Sequence, residues 1–224
     1  MYLVVKRFFD FLFALIALVI LLPAFIPIII LLLLTGEHTV FFFQKRIGYK
    51  NREFSIWKFA TMLKNSMNIG TGVITVRNDP RVTKVGKFLR RSKINEFPQF
   101  INVLIGNMSF VGARPQVKKG FDLYTPEVQQ VIYNTPPGIT GIGSVIFRDE
   151  EKIVTASTDR EATYRQIFSY KGKLELWYQQ HISFYTDFMI LFLTAGVFSS
   201  RTASWCTAYS LPYRKGIFNS NPGC

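Results

Sequence analysis

The residues best suited to chemistry lie in one short run. Glu96 follows Asn95 at the head of NEFPQFINVLIG (95–106), and Lys87, Arg90, Arg91 and Lys93 precede it. Asn95 is a good N-cap, and Pro98 then falls at N3, where the backbone N–H has no intrahelical partner. Phe97, Phe100, Ile101, Leu104 and Ile105 form a buried stripe, and Gly106 suits the left-handed residue that closes a helix. On this reading Asn95 and Glu96 sit at a helix N-terminus, where free N–H groups and the helix dipole favour an anion. A carboxylate among so many cations belongs either to an ion-pair network or to a site for a charged ligand. A second candidate is the loop Gly112-Ala113-Arg114-Pro115. Its small residues allow backbone to approach a phosphate closely, and Arg114 supplies a forked donor.

Several elements must position these groups. The β-branched and aromatic runs TVFFF (39–43) and FSIWKF (54–59) predict two strands paired across a Gly48–Arg52 turn. Residues 63–79, with Gly70 and Gly72, read as a mobile loop, and Asp79-Pro80-Arg81 is a turn signal. Residues 82–94 carry Val82, Val85, Phe88 and Leu89 at helical spacing opposite Lys84, Lys87, Arg90 and Arg91, which predicts an amphipathic basic helix. A helix is expected over Tyr124–Tyr133, with Thr125 as N-cap and Pro126 at N1. Residues 135–141 form a rigid loop leading into an extended segment over 139–147. Arg148–Glu151 and a helix from Asp159 to Gln180 read as charged and solvated, though Asp149 or Glu150 could meet a ligand near the Gly138–Gly143 loop.

The chain is organised around residues 11–34, an apolar run without charge, Gly or Ser and long enough for a membrane segment. Pro23 and Pro27 interrupt it, and proline kinks or breaks a helix. Lys6 and Arg7 precede the run, whereas Lys45, Arg46, Lys50 and Arg52 follow it. Positive flanks favour the cytoplasmic side, so a re-entrant hairpin satisfies both ends where a straight span satisfies one. Lys6, Arg7 and Asp10 read as a collar at the bilayer surface. Residues 181–198 are apolar but interrupted by Asp187, as in a helix lying in or on a membrane face. The chain of 224 residues carries a net charge of +13, which suits anionic headgroups and phosphorylated ligands. Nucleic acid is the competing partner for a basic chain, and no recognisable binding motif supports it. Cys206 and Cys224 give no metal spacing, His38 and His181 are too far apart for a His-based site, and no P-loop, GxGxxG or HExxH occurs.

Taken in order, these pieces form a series. It runs Lys6-Arg7-x-x-Asp10, the Pro-broken apolar run, Phe43-Gln44-x-Arg46-x-Gly48, Lys58-Phe59, Asp79-Pro80-Arg81 and Gly86-x-x-Leu89-Arg90. It continues with Asn95-Glu96-x-Pro98-Gln99-x-x-Asn102-Val103-Leu104, Gly106-x-Met108-Ser109-x-Val111-Gly112, Arg114-Pro115 and Pro137-Gly138-Ile139-Thr140-Gly141. The series resembles the bacterial sugar transferases of the monotopic phosphoglycosyl transferase superfamily over roughly residues 1–195. The resemblance implies an α/β mixed, mainly helical fold. Its parts are a re-entrant membrane anchor (1–36), a catalytic domain at the cytoplasmic face with amphipathic surface helices and a short β-hairpin (37–200), and a C-terminal tail (201–224). It also implies transfer of a phospho-sugar from a UDP-sugar to undecaprenyl or another polyprenyl phosphate, with release of UMP and use of Mg2+, at the inner membrane of a bacterium. A homodimer is compatible with it.

In that family an Asp-Glu pair opens the Pro-Gln helix, the Asp being the covalent nucleophile and the Glu helping to hold magnesium. Here the pair is Asn95-Glu96, and a neutral amide is no carboxylate nucleophile. The resemblance therefore places Asn95 and Glu96 at the catalytic position, Glu96 on the metal and Arg114 on a phosphate. Pro115, Gly112, Lys58, Arg46, Arg81 and Arg90 are weaker candidates for lining the phosphate site. Ala60 and Ala113 stand where the family usually has Arg and Pro, and Leu22-Pro23 stands for its Ser-Pro. A catalytically altered or inactive homologue that binds nucleotide sugar or scaffolds a glycan-assembly complex is the alternative.

Overall fold

The computed structural model describes residues 2–66 and 79–199. Most of the expected 63–79 loop and the whole 201–224 tail lie outside the described residues. The first element is a 33-residue helix, α1 (Tyr2–Leu34). A hairpin follows, β1 (Phe41–Ile47) and β2 (Glu53–Phe59), then α2 (Lys84–Arg91), a single 3-10 turn at Ile94–Glu96 and α3 (Gln99–Leu104). Next come β3 (Ser109–Val111), α4 (Lys118–Phe121), α5 (Pro126–Val131) and β4 (Gly138–Thr140). The described chain ends with α6 (Ile142–Ile146), α7 (Glu150–Ala156), α8 (Arg160–Gln180) and α9 (Phe184–Ser199). Among the described residues the architecture is mainly helical with two small sheets: β1 pairs antiparallel with β2, and β3 pairs parallel with β4.

Helix α1 does not divide at Pro23. One helix runs through both prolines, and no second helix forms a returning arm among the described residues. The reason is positional. Asp10, Ala14, Phe25 and Leu32 are buried, and Leu18, Leu21, Ile28 and Ile29 pack beside them, all spaced three or four residues apart on one stripe. Pro23 and Pro27 lie one turn apart and exposed, off that stripe, so the missing N–H groups do not disturb the packed face. The stripe lies against the rest of the chain along its length. Ala14 shares a core with Ile56, Val103 and Met108, while Phe25 and Leu32 join Phe59 and Leu89. The opposite face leaves Val4, Phe8, Val19, Ile20 and Leu34 exposed.

The collar residues are engaged with protein rather than left at a surface. Lys6 Nζ donates to the Val111 carbonyl (2.9 Å) and pairs with Asp187. Arg7 donates to the Val103 and Leu104 carbonyls (2.5 and 2.8 Å), which lie at the C-terminal end of α3, where a cation is favoured. Asp10 accepts from the Phe110 backbone N–H (3.1 Å). These three side chains fix the start of α1 to α3, β3 and α9.

Other expectations hold with changed detail. The hairpin forms as read but is longer, with register Phe41↔Phe59 to Ile47↔Glu53. Helix α5 starts at Pro126 after Thr125, and α8 is capped by Asp159, which accepts from the Ala162 N–H. Asn95 is not the cap of α3. It lies inside the 3-10 turn, and Pro98 holds the cap position. In α2 Leu89 is buried as expected, but Phe88 is 63% exposed. Residues 139–147 are not one extended segment, because Gly141 ends β4 and α6 begins. Helix α8 is not solvated all round, since Lys171 and Glu175 are buried.

Candidate active site

Asn102 sets the geometry of the site. Fully buried in α3, its side chain accepts from the Trp57 N–H (2.9 Å) and donates to the Ser55 carbonyl (2.9 Å). The amide thus pairs with β2 as a neighbouring strand would. This ties the turn before α3, which carries Asn95 and Glu96, to the strand that carries Lys58. A second tie holds Arg114. The Tyr133 hydroxyl donates to the Arg114 carbonyl and accepts from the Gln116 N–H, each at 3.0 Å, while the Ile47 N–H donates to the Gln116 carbonyl (2.8 Å).

These ties bring Lys58, Glu96 and Arg114 together at a cavity of about 970 Å3. Glu96 Oε1 accepts from Arg114 Nη2 (2.7 Å) and Lys58 Nζ (3.3 Å). Burial acts to raise the Glu96 pKa, but the Arg114 guanidinium and the Lys58 ammonium outweigh it and hold the carboxyl well below the usual range. Burial pushes Lys58 down to about 8 against the pull of Glu96. Arg46 donates to the Pro115 carbonyl (3.1 Å) and to Gln44 Oε1 (2.5 and 3.1 Å) and also lines the cavity. Lys93 stands on the same wall with φ +60°, the left-handed turn that leads α2 into the Asn95–Glu96 segment.

Six of the expected residues therefore share one cavity: Arg46, Lys58, Arg90, Asn95, Glu96 and Arg114. Three stand elsewhere. Arg81 is 4% exposed and bonds Asp79 (2.6 and 2.9 Å) and the Ser66 carbonyl (2.6 Å), holding the turn before α2. Gly112 is where β3 meets the Pro136–Gly138 backbone; a Cβ there would come 2.7 Å from the Pro136 carbonyl oxygen. Pro115 contributes its carbonyl to Arg46.

Asp149 and Glu150, expected near the Gly138–Gly143 loop, line the cavity, but Lys171 and Glu175 were not legible as site residues. Gly143, Ser144 and Phe147 reach the cavity from α6 and the residue after it, Glu150 from α7, and Lys171 and Glu175 from α8. Lys171 donates to Glu150 Oε2 at 2.5 Å. A signal was present in the sequence. Ile167, Phe168, Lys171, Gly172, Glu175 and Tyr178 fall at helical spacing, so two charged residues occupy an otherwise buried stripe.

Magnesium can be tested against these groups. Both cationic contacts of Glu96 fall on Oε1, leaving Oε2 for another partner, and the buried Asn95 Oδ1 next to it in sequence has no hydrogen-bond partner. Among the described residues no three His, Cys, Asp or Glu side chains form a metal cage. Mg2+ commonly takes only one or two protein oxygens and completes its shell with substrate phosphates and water, so this donor set fits.

A buried carboxylate bonded by two cations at a large cavity, in a chain whose first helix is long and apolar, is the arrangement to set beside known proteins. The bacterial sugar transferase family matches residues 1–201, and this chain belongs to it. Among its relatives, the UDP-N-acetylgalactosamine-undecaprenyl-phosphate N-acetylgalactosaminephosphotransferase of Aeromonas hydrophila is 34% identical over 192 residues, covering 85% of this chain and 44% of that protein. The UDP-glucose:undecaprenyl-phosphate glucose-1-phosphate transferase of Escherichia coli (strain K12) is 38% identical over 138 residues, covering 61% and 30%. The exopolysaccharide production protein PSS of Rhizobium leguminosarum bv. phaseoli is 34% identical over 198 residues, covering 86% and 94%. The chain spans less than half the length of the first two.

Proposed function

We propose that this chain transfers a phospho-sugar from a UDP-sugar to a polyprenyl phosphate, releasing UMP, at the cytoplasmic face of a bacterial inner membrane. The observation that carries the reading is the convergence of Glu96, Lys58 and Arg114 in a large cavity, in a chain whose first helix exposes an apolar face. Phosphoryl transfer depends mostly on positioning and charge neutralisation, and this site is built for both. Lys58, Arg46 and Arg114 are the cations for the diphosphate, with Arg90 at the rim. Glu96 and Asn95 would hold Mg2+, which when bound neutralises the charge on the diphosphate.

Asn95 shapes the route. With an amide there, the reading is direct attack by the lipid phosphate oxygen on the phosphorus that carries the sugar. The new P–O bond joins the lipid phosphate to the phospho-sugar. The bond to the uridylate oxygen breaks, and UMP leaves with that electron pair. Glu96 orients its two cations and is itself engaged by them. The second reading, a nucleotide-sugar-binding relative without turnover, is favoured by the same amide.

The experiment is UMP release from UDP-sugars with undecaprenyl phosphate and Mg2+, for the parent chain and for Asn95→Asp. Release by the parent, lost in Glu96→Ala, is expected. No release by the parent, with release by the Asp variant, would sink catalysis with Asn95, and UDP-sugar binding without turnover would then favour the second reading.

A further inference from the structure

Buried polar side-chain atoms without a partner are few in folded proteins, and each needs an explanation. Among the described residues, three that line the cavity have one: Asn95, Ser144 and Glu175. Asn95 belongs with Glu96. Ser144 and Glu175 lie on α6 and α8 and have no part in the proposed phosphate site.

Glu175 is 3% exposed. Its carboxylate accepts from the Gly143 backbone N–H, and a Cβ at residue 143 would come 2.6 Å from Oε1. That contact accounts for one oxygen as a brace for the start of α6. It leaves Oε2 buried and unpaired. The nearest cation on its own helix, Lys171, gives its ammonium to Glu150. The Ser144 hydroxyl is likewise unpaired, whereas the neighbouring Thr140 and Thr194 hydroxyls satisfy each other at 2.8 Å. Phe147 adds an aromatic surface to the cavity lining.

These residues present a carboxylate acceptor, a hydroxyl that donates or accepts, and a ring. The Lys171 ammonium, which acts on Glu175 and pairs with Glu150, disfavours a further cation here. A polyhydroxylated ring supplies O–H donors for Glu175, an acceptor for Ser144 and a C–H face for Phe147. We propose that Glu175 and Ser144 form a subsite that reads the hydroxyls of a sugar ring held in the cavity by its phosphates. The inference rests on the proposed function, in which the donor is a nucleotide-linked sugar. Two rings of that donor have the required chemistry, the transferred sugar and the ribose.

The test is calorimetric binding of UDP-glucose, UDP-N-acetylgalactosamine, UDP and UMP to the full chain in detergent, for the parent, Glu175→Gln and Ser144→Ala. The Gln side chain keeps an acceptor for the Gly143 N–H and changes the outward group, so α6 stays braced; unchanged thermal unfolding checks this. At least tenfold weaker binding of one or both UDP-sugars in each variant, with UDP and UMP unchanged, supports the subsite and assigns it to the transferred sugar. Equal weakening of all four supports it and assigns it to the ribose. Parent-like binding in both variants overturns the subsite, leaving a brace and a trapped water. If the parent binds none of the four, the proposed function fails, and the subsite with it.

Discussion

Glu96 and Glu175 are two carboxyls in one cavity whose environments push them in opposite directions. The arginine and lysine beside Glu96 keep it ionised. Burial raises Glu175 to about 7, and the Gly143 N–H and Lys171 offset this only in part. An acid whose folded pKa exceeds its unfolded value binds protons more tightly when folded. Its stabilising contribution is full below about pH 4.5 and is lost as pH rises through about 7. The shift corresponds to on the order of 3 kcal/mol. Unfolding stability measured from about pH 5 to 8 should therefore fall more steeply for the parent than for Glu175→Gln. Parallel curves would show that the carboxyl titrates normally.

At the scale of elements, the side chain of Asn102 does the work of a strand. Asn102→Ala would leave the Trp57 N–H and the Ser55 carbonyl without their partner and cost about 2–3 kcal/mol. Because β2 carries Lys58 and the turn before α3 carries Glu96, UMP release should fall along with the unfolding temperature. A loss of stability with full activity would separate the two roles. The run Asn102-Val103-Leu104 was visible in the sequence as part of a series, but its reach to β2 was not, because a strand edge and its partner are 45 residues apart. The hairpin, α2, α5 and α8 were legible, since each follows from local spacing and capping. The Glu96–Arg114 pairing was legible as two separate candidates near one site. Glu175 was missed because a charged residue on a long helix is usually solvated, and only the stripe it shares with Phe168 and Tyr178 says otherwise. Arg81, a weaker candidate, takes the ion-pair alternative with Asp79, a partnership that the turn sequence does not separate from a phosphate contact.

At the scale of the whole molecule, the packed stripe of α1 bears on how the chain meets a membrane. Both ends of the helix touch the same body: Lys6 reaches α9 and β3, and Leu32 reaches the core of β2 and α2. A span of about 50 Å at 1.5 Å per residue would carry one end away from it. We therefore expect cysteines placed at Leu3 and Lys45, with Cys206 and Cys224 changed to Ser, to react with an impermeant reagent from the same side of the membrane. Reaction from opposite sides would mean a span and would overturn the same-side placement.

The same stripe also closes two of the molecule's apolar clusters. Ile56, Phe59, Leu89, Val103 and Met108 find packing partners on α1. A chain cut after residue 36 would not be a soluble enzyme freed of its anchor but a body with an open seam. Helix α1 is thus a wall of the folded body as well as an apolar surface.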